Sequence, residues 1–363
     1  MKISIPKEVK NREYRVAITP AGVHELVAQG HDVYIETGAG LGSSITDKEY
    51  EAEGAKILDT ADETWEKADM VLKVKEPIPE EYHRLRDGLI LFTYLHLAAD
   101  KALTKELMKK NVHAIAYETV EGEDGSLPLL APMSIVAGRL SAQVASYTLM
   151  KAQGGRGVLM GGVPGTHPAN VVVIGGGVAG ENAISMAVGL HANVTVLDTN
   201  VRRLAELDHH YEGRIQTIVS NKFELEQAVS NADVVIGAVL VKGAKAPKLV
   251  SNELVSKMQS GSVLVDIAID QGGCFEDSKP TTHDNPTFKV HDSVFYCVAN
   301  MPGAVPRTST YALTNVTLPY IIKLAHDGLD ALDKDPSLAK GLNVSQGVIT
   351  CKEVAESHPD LVE

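Results

Sequence analysis

Four residues of this chain, Arg15, Lys75, His96 and Asp270, are of types that could together handle a small amino or keto acid, and each follows an apolar run. Arginine pairs bidentately with a carboxylate. A desolvated lysine can bind the same carboxylate or polarise a carbonyl oxygen as charge develops on it. Histidine titrates near neutrality and can take and return a proton while a nicotinamide takes a hydride. An aspartate near that nicotinamide could manage the protons of an amine. Lys75 comes from VLKVKEP, residues 71–77, where two lysines interrupt a strand-like run. With period-two alternation Val71, Lys73 and Lys75 share one face. Lys75 is expected to deliver its charge to a ligand, and Lys73 either to support it or to face solvent. A lone His96 beside apolar residues would read as a packed core histidine, but its grouping with other polar strand-end residues points to chemistry.

The strongest local motif is VVVIGGGVAGENAISMAVGLHANVTVLD, residues 171–198. Gly175, Gly177 and Gly180 form G-x-G-x-x-G directly after an apolar strand and at a helix start, where free N–H groups and the helix dipole can hold a pyrophosphate. Asp198, at the end of the next strand and 23 positions after Gly175, is placed to accept hydrogen bonds from an adenosine ribose. Its charge opposes a 2′-phosphate and favours NAD over NADP, although Arg202 and Arg203 follow closely and an arginine can accommodate that phosphate.

These residues need elements that present strand ends. Short apolar runs alternate with helical patterns from residue 2 onward: ISI, DVYIE, MVLKV, LILFTYL and HAIAYE, then from about residue 170 NVVVIG, NVTVLD, RIQTIV, DVVIGAV, SVLVDIAID and VFYCVAN. Such alternation predicts mostly parallel sheets covered by helices. Ligands of open α/β sheets gather at the carboxyl ends of the strands, where Arg15, Lys75, His96, Asp270, Asn300 and Met301 fall. A long helical pattern, SIVAGRLSAQVASYTLMKAQ, and a Gly-rich connector separate the two series, and another, TSTYALTNVTLPYIIKLAHDG, follows residue 306, with Pro319 expected to kink it. The expected fold is α/β, with two doubly wound Rossmann-like domains. An NAD-binding domain of residues 131–305 is inserted into a discontinuous substrate domain of residues 1–130 and 306–363.

Composition agrees. A chain of 363 residues exceeds the roughly 250 to 300 at which a single core stops growing. Its formal charge of −13, from 34 Lys plus Arg against 47 Asp plus Glu, argues against nucleic acid or an anionic membrane as partner. Cys274, Cys297 and Cys351 cannot all pair and show no CxxC spacing, which suggests neither a disulfide framework nor a zinc site. No signal-like h-region follows MKISIPKEVK, and no run of about 18 uncharged apolar residues appears. A cytoplasmic protein is expected.

The segments PKEVKNREYRVAITPAGV, VLKVKEP, LILFTYLHLAAD, PMSIVAGRLS, VVVIGGGVAGENA, VLVDIAIDQGGCFE and VANMPGAVPRTSTYALTN run through essentially the whole chain, which in them closely resembles the alanine dehydrogenase family. The resemblance implies reversible NAD-dependent oxidative deamination of L-alanine to pyruvate and ammonium. It implies Arg15 and Lys75 as substrate-binding residues, and His96 and Asp270 as the catalytic pair. It further implies NAD contacts from Ser134, Val178, Asp198, Arg203, Ser220, Val239, Leu240, Ile267, Asn300 and Met301, beside the three glycines, and a homohexamer. Lys279 stands where an arginine would be expected and is not counted. Two other readings remain open at this point: a transhydrogenase-type NAD(H)-binding subunit, and a catalytically silent NAD-binding regulatory protein. Whether a metal binds is left unknown, although Glu118 and His326 could approach one another if the tail packs against the first domain.

Overall fold

A computed structural model describes residues 1–239 and 246–362. Its contacts divide into two compact units, Met1–Met133 with the tail from Val305 onward, and Ser134–Ala304.

The first unit begins with β1 (Lys2–Ile5), β2 (Asp32–Glu36), β3 (Lys56–Leu58), β4 (Met70–Leu72), β5 (Ile90–Thr93) and β6 (His113–Ala116). These six are parallel and lie in the order β3-β2-β1-β4-β5-β6. The second unit contains β7 (Asn170–Ile174), β8 (Asn193–Asp198), β9 (Ile215–Val219), β10 (Val234–Gly237), β11 (Val263–Asp266), β12 (Thr287–Val290) and β13 (Ser293–Tyr296). Here the parallel order is β9-β8-β7-β10-β11-β13, with β12 antiparallel on the edge. Both sheets thus have the doubly wound 3-2-1-4-5-6 order, whose direction of winding reverses between the first and fourth strands. The chain then returns to the first unit and adds β14 (Leu342–Ser345) and β15 (Val348–Ile349), antiparallel beside β6. The short runs KIL, TFKV and this hairpin, strands β3, β12 and β14–β15, carry too little apolar signal to stand out in the sequence.

The apolar runs are continuous because both faces of these strands are covered. In the second unit Val171, Val173, Val234 and Ile236 enter one core, while Val172, Ile174, Val235 and Leu264 enter another on the opposite face. Side chains alternate with period two, so an unbroken Val/Ile run supplies both cores. Helix starts carry their own signals. Thr46 and Glu49 form a reciprocal capping box on Asp47–Ala52, and Asn200 accepts the Arg203 N–H at the start of Val201–Tyr211. The helix Pro306–Asp327 runs through Pro319.

Candidate functional site

In the first unit, Arg15, Lys75 and His96 follow β1, β4 and β5, all at the carboxyl edge of the sheet. β1 and β4 flank the point where the winding reverses, the place at which doubly wound sheets open a crevice. Arg15 is 2% exposed, and its Nε and one terminal nitrogen donate to the two carboxylate oxygens of Glu13 at 2.7 and 2.5 Å. Burial alone would lower the Arg15 pKa, but hydrogen bonding and charge from Glu13 more than offset this and raise it. The other terminal nitrogen contacts Met133 Sδ at 3.1 Å. Glu13 therefore takes one edge of the guanidinium and fixes the direction in which its other edge points. Sequence reasoning missed Glu13. The signal was the E-x-R spacing in NREYRVA, which brings a carboxylate back onto the arginine two residues later.

The two lysines of VLKVKEP part company. The strand ends at Leu72, so period-two alternation does not carry through to Lys75. Lys73, expected to be supporting or solvated, is not solvated: it is 1% exposed and its Nζ donates to Glu8 at 3.2 Å and Glu81 at 3.0 Å. Burial opposes its charge, but the two carboxylates prevail and raise its pKa. Glu8 also accepts the backbone N–H of Val74 at 2.6 Å and of Lys75 at 3.4 Å. The buried Lys73–Glu8–Glu81 group thus holds the backbone on which Lys75 stands. Lys75 itself is half-buried. Burial pushes the neighbouring Glu76 carboxyl up, but Lys75, Lys10 and His96 together outweigh it and hold it below the usual carboxylate range.

His96 is exposed, not a core histidine, and adopts a left-handed backbone, φ 51°. In that region a β-carbon costs about 1–2 kcal/mol, so the turn needs an anchor. Glu118 provides it: its carboxylate accepts the N–H of Leu95 at 3.2 Å and of His96 at 2.5 Å, and lies 3.8 Å from His96 Nδ1. The imidazole is parallel to the Tyr94 ring, with centroids 6.0 Å apart. Tyr94 in turn donates to Leu129 O at 2.6 Å and feels the charge of Arg15. Arg15, Lys75 and His96 are thus gathered through two shared neighbours, Tyr94 and Glu76. Glu118 and His326 are not brought together. Glu118 follows β6 at the carboxyl edge, whereas His326 acts on His31, whose pKa is lowered by burial first, then by the N-terminal charge and His326, and which precedes β2 at the amino edge. Among the described residues no group of three or more His, Cys, Asp or Glu could hold a metal.

The second unit holds the remaining candidates. Gly175 has φ +97°, a conformation that favours glycine, at the end of β7. A β-carbon on Gly180 would lie 1.8 Å from the Gly175 carbonyl oxygen, so only glycine lets the helix Val178–Gly189 start this close to the strand. A β-carbon on Gly177 would meet nothing within 4 Å, which leaves open space before the helix start. The first-turn N–H groups have no intrahelical acceptors. Val178 at the first position is exposed. These features fit a dinucleotide pyrophosphate.

Asp198 ends β8, where its carboxylate accepts the Gly176 N–H at 2.7 Å and the Asn200 N–H at 2.8 Å. Its carbonyl accepts the Ser220 N–H at 2.9 Å, tying the end of β9 to it. Arg203 donates to Gly176 O, Glu181 and Glu206. Val239 follows β10 next to Gly175, and Leu240 lies outside the described residues. Ser134 is in the first turn of its unit's part of the helix Ala131–Thr148. Asn300, with φ 61°, and the buried Met301 follow β13. Lys279 stacks on Phe288 at 4.6 Å.

Ile267 and Asp270 lie in a 3₁₀ turn, Ile267–Gln271, directly after β11. Asp270 is exposed. Asp266, which sequence reasoning passed over, builds that turn: fully buried, it accepts the N–H groups of Ala268 and Cys274 at 3.0 and 2.9 Å and the Ser278 hydroxyl. Burial raises its pKa even against these donors. An aspartate closing an apolar strand just before IAIDQGG was the available signal.

Known proteins agree with this architecture over its whole length. Residues 4–137 match the model of the alanine dehydrogenase/PNT N-terminal domain, and residues 141–352 that of the alanine dehydrogenase/PNT C-terminal domain. An alanine dehydrogenase of Mycolicibacterium smegmatis is 62% identical, the alignment covering 98% of this chain and 96% of that protein. A solved L-alanine dehydrogenase superposes with a TM-score of 0.96 at 52% identity, covering 100% of both chains. A solved transhydrogenase from Sinorhizobium meliloti gives 0.80 at 25% identity, covering 97% of this chain and 99% of that one. This chain belongs to the alanine dehydrogenase/PNT family.

Proposed function

We propose that this chain is an NAD-dependent L-alanine dehydrogenase, converting L-alanine, water and NAD⁺ reversibly into pyruvate, ammonium, NADH and a proton. The observation that supports the chemistry most directly is the gathering of Arg15, Lys75 and His96 at one sheet edge, around Tyr94 and Glu76. A relative that only exchanges hydride between nucleotides has no need of a carboxylate-binding arginine and lysine beside a histidine. The 62% identity to an alanine dehydrogenase, against 25% to a transhydrogenase, supports the same choice.

In this reading the unit Ser134–Ala304 is the NAD-binding domain, and the unit that includes the tail carries the substrate. The edge of Arg15 turned away from Glu13 pairs with the substrate carboxylate, with Glu13 holding the opposite edge in place. The Lys75 ammonium binds the carboxylate or the oxygen that becomes the carbonyl of pyruvate. NAD, held by the glycine turn and Asp198, would supply the acceptor for the hydride that leaves the substrate Cα. His96 takes a proton from the water that attacks the resulting imine and returns one as the carbinolamine collapses to pyruvate and ammonium. Asp270 manages the protons of the amine. Gly175, Gly177, Val178 and Gly180 hold the pyrophosphate, Asp198 the ribose, and Ser134, Arg203, Ser220, Val239, Leu240, Ile267, Asn300 and Met301 complete the cofactor contacts. We further propose a homohexamer working in the cytoplasm. No helix among the described residues is long and apolar enough to cross a membrane.

The test is product identification. Purified protein given NAD and L-alanine should release pyruvate and ammonium in equal amounts with NADH, and give little with D-alanine or L-glutamate. NAD binding with no amino-acid-dependent NADH would instead support the silent regulatory reading.

A further inference from the structure

Two arginines follow Asp198, and on charge alone either could receive the 2′-phosphate of NADP. Their surroundings decide otherwise. Every nitrogen position of the Arg203 guanidinium is engaged: Nε with the Gly176 carbonyl at 2.7 Å, one terminal nitrogen with Glu206 at 3.1 Å and the other with Glu181 at 2.5 Å. Glu181 sits in the first turn of Val178–Gly189 and Glu206 on Val201–Tyr211, so the two acids reach the guanidinium from different helices. Glu206 also lies 3.5 Å from the Nε of Arg202, whose side chain is otherwise 90% exposed. Glu181 and Glu206 therefore both engage Arg203, and Asp198 sits at the other end of the same glycine, on the Gly176 N–H. The Gly176 residue is held at both ends, its N–H by Asp198 at 2.7 Å and its carbonyl by Arg203.

We propose that Glu181 and Glu206 determine cofactor selectivity together with Asp198, by holding Arg203 as a brace of the glycine turn and withholding it from a 2′-phosphate. The proposal rests on the assignment of this turn as the NAD site. A dianionic 2′-phosphate arriving here would have to displace a carboxylate from Arg203 while lying beside the others. Like charges at such distances oppose binding, more strongly at the half-buried Glu181 than at the exposed Glu206, which salt screens. Asp198 alone would repel the phosphate. The acid pair removes the cation that would otherwise compensate.

The experiment measures the dissociation constants of NAD and NADP by calorimetry, and kcat/KM for both with L-alanine, in wild type, E181Q/E206Q and E181Q/E206Q/R203A. Released from both acids, Arg203 gains a charge-assisted contact to phosphate, so the NADP-to-NAD preference of the double variant should rise by about 10- to 100-fold. Adding Arg203→Ala should abolish the rise. An unchanged ratio in the double variant overturns the proposal, and so does a rise that survives loss of Arg203. NAD binding by the wild type reports separately on the underlying assignment: a wild type without affinity for NAD overturns both.

Discussion

Replacing Lys73 by methionine should damage the fold, and replacing Lys75 by methionine should damage the reaction, although the two lysines stand two residues apart. Lys73 is 1% exposed between Glu8 and Glu81, which are themselves 8% and 1% exposed. Removing one partner of a buried ion group leaves charge without compensation and costs about 3–5 kcal/mol. For a unit of this size about 1 kcal/mol corresponds to about 2–4 °C in melting temperature, so Lys73→Met should melt about 6–20 °C lower by scanning calorimetry. Lys75 is half-buried and outside that ion group. Its methionine variant orphans no buried charge and should melt within about 2 °C of wild type, a change of about 0.5 kcal/mol. A triple variant, K73M with E8Q and E81Q, removes the whole charged group and should recover much of the loss, because neutralising all partners leaves no orphaned charge. A Lys73→Met protein as stable as wild type, or a Lys75→Met protein less stable than Lys73→Met, would refute the division of labour.

Turnover of a His96→Ala variant should fall by about 10² to 10⁴ if the imidazole carries the proton, and a rate near wild type would remove it from the mechanism. Gly177→Ala should leave the melting temperature unchanged, since its β-carbon meets no protein atom, yet weaken NAD binding by calorimetry. Gly180→Ala should lose both, because its β-carbon lies 1.8 Å from the Gly175 carbonyl oxygen, an overpacking worth about 1–3 kcal/mol; unaltered NAD affinity in both variants would contradict the pyrophosphate assignment. Burial raises the Glu8 pKa above its usual 4.5, more than Lys73 lowers it. The folded protein therefore binds the extra proton, and this contribution to stability is present below about pH 4.5 and fades as pH rises through the folded pKa. The melting temperature of Glu8→Gln relative to wild type should accordingly improve with rising pH above about 4.5, and a decline would reverse the sign assigned to Glu8.

What could be read from the sequence follows from what each residue signals locally. Strands β7, β10 and β11 announce themselves because both faces are buried and nothing polar interrupts the apolar run. The glycine turn is legible because conformation and close approach allow no other residue at Gly175 and Gly180. The positions of Arg15, Lys75 and His96 could be found because strand ends are where such folds open. Their supports could not. Glu8 meets Lys73 across 65 residues of sequence and Glu118 meets His96 across 22, and nothing local ties those carboxylates to their partners. Whether Lys73 supports Lys75 or faces solvent stayed open for the same reason: a lysine in a strand pattern looks wet until its two acids are placed. The β14–β15 hairpin escaped notice because LNVSQGVI is half polar, and its pairing with β6 depends on the chain returning from far away.

The assigned activity and the role of Lys75 are both read by the initial rate of NADH formation from L-alanine and NAD, with the wild-type protein beside Lys75→Ala. The wild type should show a rapid, alanine-dependent rate, almost wholly lost in a Lys75→Ala protein that still binds NAD and melts normally. A wild type that is silent toward L-alanine while binding NAD would contradict the assigned function, and a fully active Lys75→Ala variant would contradict the site.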